Sequence, residues 1–94
     1  MKNQPNQSIY KQTQRFADVT KAFIVKGNVR RAKRCLQIAE NAFVRGNQEI
    51  QNAITNVYVF SLSSFLEIHH FNIGEFLPKN LQDEYHKQIN AASL

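Results

Sequence analysis

The sequence predicts an all-α fold, arranged as an antiparallel bundle of four helices. Three observations predict it. Apolar residues recur three and four positions apart along most of the chain, as one buried face of an α-helix requires. Gly27-Asn28 and Gly46-Asn47, 19 residues apart, each close one such stretch and open the next. No segment alternates apolar and polar residues with a tight turn after it, so no strand or hairpin is expected.

Residues 1–8 contain Asn3, Gln4, Pro5, Asn6, Gln7 and Ser8 and no apolar period, which reads as a disordered polar tail ahead of one helical domain at 9–94. The first helix is expected at 9–26, burying Phe16, Val19 and Phe23 with Ile9 and Ile24 beside them. Gly27 stops it, and Asn28 offers a side-chain oxygen to the free N–H groups of the next helix. That second helix, at 29–45, carries one continuous apolar stripe of Ala32, Cys35, Leu36, Ala39, Ala42 and Phe43. Gly46 and Asn47 repeat the punctuation. Connections this short turn the chain straight back, giving an up-down-up order.

The third helix is expected at 48–69, with Ile50, Ala53, Ile54, Val57, Ser61, Ser64, Phe65 and Ile68 toward the core. Its second half is apolar on the other sides too, through Val59, Phe60, Leu62 and Leu66. A helix apolar all round is buried all round, so Leu62 and Leu66 are candidate contacts with a partner or a second copy. Asn72 and Glu75 have capping-box spacing, which suggests a short helical turn. Pro78 opens a last helix at 78–90 whose buried face is marked by Leu81, Tyr85 and Ile89.

The polar residues show no catalytic pattern. His69 and His70 are adjacent, which points them about 100° apart on a helix and prevents joint chelation. His86 and the single Cys35 have no partner at metal-ligand spacing, and Cys35 lies within an apolar stripe. The serines lack a nucleophile-elbow context and there is no glycine-rich phosphate loop. The reading is therefore non-enzymatic, with no metal and no cofactor. One cysteine, no leader-like N-terminal apolar segment and no run of about 20 apolar residues point to a cytoplasmic protein without a membrane span.

The net charge is +5. On the second helix Arg30, Arg34 and Arg45 share one face, with Ile38 among them, Arg31 and Lys33 on the flanks and Glu40 the single acid. An apolar residue ringed by arginines is the composition of an interface anchor. Arg30, Arg34, Ile38 and Arg45 are thus candidate contacts for a protein partner. The same arginines with Lys26 form the footprint that a nucleic acid would need, which is the alternative.

Two resemblances accompany these readings. Phe16, Val19, Phe23, Gly27, Ala32, Leu36 and Ala39 make residues 13–45 resemble a tetratricopeptide helical hairpin. Thr20 stands where that repeat has a small glycine, and Val44 where it has a closing proline. In that family these positions build the helix pair. The chain from about 30 to 92 is also similar to a small uncharacterised all-helical bacterial family. That similarity rests on Arg45-Gly46-Asn47, Asn52-Ala53-Ile54-Thr55-Asn56-Val57-Tyr58, Leu77-Pro78, Glu84-Tyr85 and Lys87-Gln88. It implies a helical fold and a bacterial source.

Overall fold

The computed structural model describes residues 5–92, with side chains described for residues 9–90. Five helices follow one another: α1 (Pro5–Val25), α2 (Val29–Arg45), α3 (residues 48–68), α4 (Ile73–Phe76) and α5 (Lys79–Ala92). No strand occurs among the described residues. The expected bounds of α2 hold to the residue, and those of α3 and α5 to within two. α1 begins at Pro5, four residues before the expected Ile9. Proline suits a first helical turn, where its missing N–H has no intrahelical acceptor to lose. Residues 1–4, the rest of the expected tail, lie outside the described residues.

The two glycine turns differ physically. Gly27 takes the left-handed conformation (φ 79°), and the amides of Gly27 and Asn28 bond back to the carbonyls of Ile24 and Phe23 at 3.0 and 2.8 Å. This is a Schellman cap. Gly46 is extended instead, and its need is for space. A Cβ there would lie 2.5 Å from both the Ala42 carbonyl oxygen and Ile50 Cγ2. In both turns the following asparagine caps as expected: Asn28 Oδ1 accepts from Arg31 N–H at 3.2 Å, and Asn47 Oδ1 from Ile50 N–H at 3.0 Å. At the end of α3, His70 takes the left-handed position (φ 63°) that Gly27 holds at the end of α1.

α2 buries Ala32, Cys35, Leu36 and Ala39 as its stripe predicts. α1 presents a face centred on Ala17, Thr20 and Ile24, with Phe16 and Phe23 on its margins. Val19, expected inside, is exposed.

α3 departs furthest from expectation. It is a regular helix over Gln48–Ala53, a π-helix over Ile54–Val59 and a regular helix again over Phe60–Ile68. A π turn takes up one extra residue. Everything after it is rotated by one position, about 100°. The core residues are Ala53, Ile54, Tyr58, Val59, Leu62 and Leu66, where a uniform helix would have buried Val57, Ser61, Ser64 and Ile68. Leu62 and Leu66 are 0% exposed within the single chain. Their assignment as partner contacts is thereby corrected: they are core.

α5 closes the core with Leu81, while Tyr85 is half-buried and Ile89 exposed. It packs against α2 and against the π segment. Two polar contacts fix it there. The buried Glu40 carboxylate, from α2, accepts from the backbone N–H groups of Asn80 and Leu81, each at 3.1 Å, and from Asn80 Nδ2 at 2.8 Å. A carboxylate on free N–H groups at a helix start satisfies orphan donors and opposes the helix dipole. Gln88 Nε2 donates to the Thr55 carbonyl of the π segment at 2.8 Å.

Candidate functional site

The π segment decides which side chains reach the surface. By turning Tyr58, Leu62 and Leu66 inward it turns the seam Val57, Ser61, Ser64 and Ile68 outward, with Phe60 and Phe65 beside it. Phe60 is 61% exposed and Ile68 is 71% exposed. These residues form one wall of a groove of about 400 Å³ whose other wall is α1, through Gln14 and Lys21. A second concavity of about 470 Å³ continues it past Val57 and Gln14 to Tyr10 and Lys11. A third, of about 230 Å³, lies on the far side of Phe60 and Ser64 and reaches Glu67, Tyr85, Gln88 and Ile89.

The ionisable groups around this groove are unevenly placed. Lys11 and Lys21 stand on the α1 side. Lys21 reaches Asp18 at 3.7 Å, a loose and exposed pair of the kind that contributes little to stability. On the other side, Glu67 is engaged by the Tyr85 hydroxyl, which donates to its carboxylate. That bond to an anion, helped by burial, pushes the Tyr85 phenol up to about 12.

The sequence placed the candidate surface one helical position away. The all-round apolar character of α3 was visible, and so was the seam. The π turn that exchanges its inner and outer faces has no signature in composition. It leaves one trace in the sequence: Ile54, Tyr58, Leu62 and Leu66 run at four-residue intervals without a three, which drifts off a regular helical face.

The basic face of α2 is formed as expected. Arg30, Arg34, Arg45 and Lys26 are exposed, and the ion pairs among the described residues, Lys21–Asp18 and Lys87–Glu84, involve none of them. Ile38 is 52% exposed in their midst, with Val44 also exposed on the same helix. Arg31 and Lys33 have other neighbours, lying 6.0 Å over the Phe23 ring and 5.9 Å over the Phe76 ring. Glu40, the one acid of the helix, faces inward to α5. The outward surface of α2 therefore carries cationic and apolar side chains with the neutral pair Gln37 and Asn41, bonded at 3.2 Å, and no acid.

The remaining reactive groups are dispersed. Cys35 is buried. His69 lies against Phe65, its ring centroid 4.4 Å away, and His86 against Tyr85 at 5.5 Å. Among the described residues no three of His, Cys, Asp and Glu come together as a metal site. No helix among them is long and apolar enough to cross a membrane.

Residues 1–91 match the model of DUF7674, a domain of unknown function. The chain belongs to the DUF7674 family. No curated protein and no solved structure matches it.

Proposed function

We propose that this DUF7674 domain is a non-enzymatic helical interaction module that docks a protein in the groove between α1 and α3. One observation carries the reading: Phe60 and Ile68 are 61% and 71% exposed beside a concave apolar seam, although the same helix buries Leu62 and Leu66 completely. Exposed aromatic side chains beside a concavity are common anchors of a protein interface. The bacterial cytoplasm is the setting that goes with this reading.

Affinity capture from cell extract tests this reading. A partner retained by the natural chain and by an Arg30→Glu/Arg34→Glu variant, but lost with Phe60→Asp/Ile68→Asp, fits the groove. A partner lost only with the arginine variant transfers the role to α2.

The exposed arginines of α2, without acids on their side of the helix, favour nucleic-acid binding as the second reading. Three phosphate contacts by Arg30, Arg34 and Arg45 would give a salt slope of about −2.7 in log affinity against log salt on duplex DNA. No mobility shift with DNA or RNA at low salt removes it.

A further inference from the structure

We infer that the occupant of the α1–α3 groove is an amphipathic helix with an acidic flank, supplied by a different protein. This rests on the groove reading above and adds the chemistry of the partner.

The seam itself specifies a helix. Val57, Ser61, Ser64 and Ile68 are spaced by four, three and four residues, the alternation of a heptad seam, and here it faces outward. Such a seam accepts the apolar ridge of another helix, and the two serines leave room for close approach between Val57 and Ile68. From Val57 to Ile68 the seam runs about 16 Å, or three turns of an α-helix. α1 stands along one side, so an occupant would touch both walls as a helix in a groove does.

Charge selects between partners. The α1 wall supplies Lys11 and Lys21, ten residues and about 15 Å apart, close to the length of the seam, and one acid, Asp18, loosely paired with Lys21 at 3.7 Å, which leaves the wall with a net positive charge. The acid nearest the opposite side, Glu67, is already bonded by Tyr85. A helix with acids along the flank facing α1 meets both lysines. A basic helix meets them as like charges. A second copy of this chain would bring another +5 and its own lysine-bearing wall to the same place. The complement of this groove is therefore acidic and is not the chain itself.

The probe is a pair of fluorescein-labelled synthetic helical peptides of about 18 residues with an identical leucine heptad seam. One has Glu and the other Lys at the flanking positions. Each is titrated with the full chain by fluorescence anisotropy, beside sedimentation of the chain alone. The expected result is that the Glu peptide binds about tenfold more tightly than its Lys twin. Phe60→Asp abolishes that binding, and Lys11→Glu/Lys21→Glu reverses the preference. Circular dichroism confirms that the variants, altered at surface positions, keep their helix content. Equal binding of both peptides, sensitive to Phe60→Asp, leaves the groove reading standing and overturns the acidic occupant. A dimer in sedimentation that Phe60→Asp dissociates, with neither peptide bound, overturns it in favour of a second copy. A monomer that binds neither peptide overturns both the inference and the groove reading.

Discussion

The hydroxyls of Thr20 and Tyr58 lie 2.8 Å apart in the interior, both side chains 0% exposed. Thr20 also reaches the Phe16 carbonyl oxygen at 2.9 Å, the usual resting place of a helical threonine's proton. With its one proton spent there, Thr20 accepts and the Tyr58 phenol donates. The Tyr58 ring is stacked on Phe16, 5.5 Å between centroids, so the π segment of α3 is joined to α1 by one aromatic and one polar contact.

This direction predicts an asymmetry. Thr20→Val leaves a buried phenol without an acceptor and should cost about 2 kcal/mol. Tyr58→Phe removes a donor but leaves the Thr20 proton on Phe16, so about 1 kcal/mol or less is expected. Urea denaturation of the two variants measures the difference. Equal costs, or a larger cost for Tyr58→Phe, would reverse the assignment of donor and acceptor.

The same phenol carries a pH signature, shared with Tyr85. Burial holds the Tyr58 pKa well above its ordinary value. Tyr85 is pushed up to about 12, chiefly by its bond to the Glu67 carboxylate. Both folded values exceed the unfolded value of about 10, so the unfolded chain loses these protons first. The stability they contribute is fully present below pH ~10 and declines as pH rises from there toward ~12. Denaturation midpoints at stepped alkaline pH should fall across that window. Tyr85→Phe should flatten the slope, and the phenolate absorbance of Tyr58 and Tyr85 should rise late.

The exchange of faces along α3 separates two residues only two positions apart. Leu62→Ala empties a fully buried position and should cost about 2–5 kcal/mol, as should Leu66→Ala. Phe60→Ser removes a larger side chain from a position 61% exposed and should change stability by less than about 0.5 kcal/mol. Thermal unfolding compares them directly. For a domain of this size each kcal/mol moves the midpoint by about 4–8 °C. A costly Phe60→Ser would mean that another surface covers it in solution.

Most of the fold was legible in the sequence because its devices are local. Asn28, Asn47 and Asn72 cap helices within three residues of themselves, and Pro78 marks the start of α5. The candidate site was legible only in part. The basic face of α2 follows from helical spacing alone and stands where it was placed. The α3 surface depends on the π turn. Its geometry is set by contacts from elsewhere, Thr20 on Tyr58 and Gln88 on the Thr55 carbonyl, and neither pair is visible as a spacing. Thr20 stands out in the sequence only as a departure from the glycine of a tetratricopeptide pattern, yet it is the residue that receives Tyr58. Glu40 similarly reads as the one acid of a basic helix, because nothing on α2 reveals that it points at the start of α5.

Glu40 gives the fourth prediction. Its buried carboxylate serves two backbone N–H groups and the Asn80 amide, and removing it leaves those donors facing a void. Glu40→Ala should cost about 2–4 kcal/mol, combining charge-assisted hydrogen bonds with unsatisfied amides. Glu40→Gln keeps one acceptor oxygen but turns an NH₂ toward the same N–H groups, so an intermediate loss is expected. Amide hydrogen exchange localises the effect. Protection should fall first in α5 and later in α1 and α2, since the bond ties one helix start to the rest.

The π turn can be tested by removing the residue it accommodates. In the present chain Ile54, Tyr58, Leu62 and Leu66 reach one face at four-residue steps, which a regular helix cannot sustain. Deleting the exposed Asn56 converts the first step to three, and the steps three, four and four fit an uninterrupted α-helix. The core and the outward seam then keep their places, and the midpoint should stay within about 5 °C of the natural chain, since no buried group is removed. Gln88→Ala removes the donor to the Thr55 carbonyl and should cost about 1 kcal/mol in the natural chain. Deleting Ser64 from the regular part of the helix is the control. It swings Leu66 away from its buried position by about 100° and should abolish cooperative unfolding. If both deletions unfold the protein alike, the π segment is required for more than register, and the outward seam of Val57 and Ile68 is not its sole consequence.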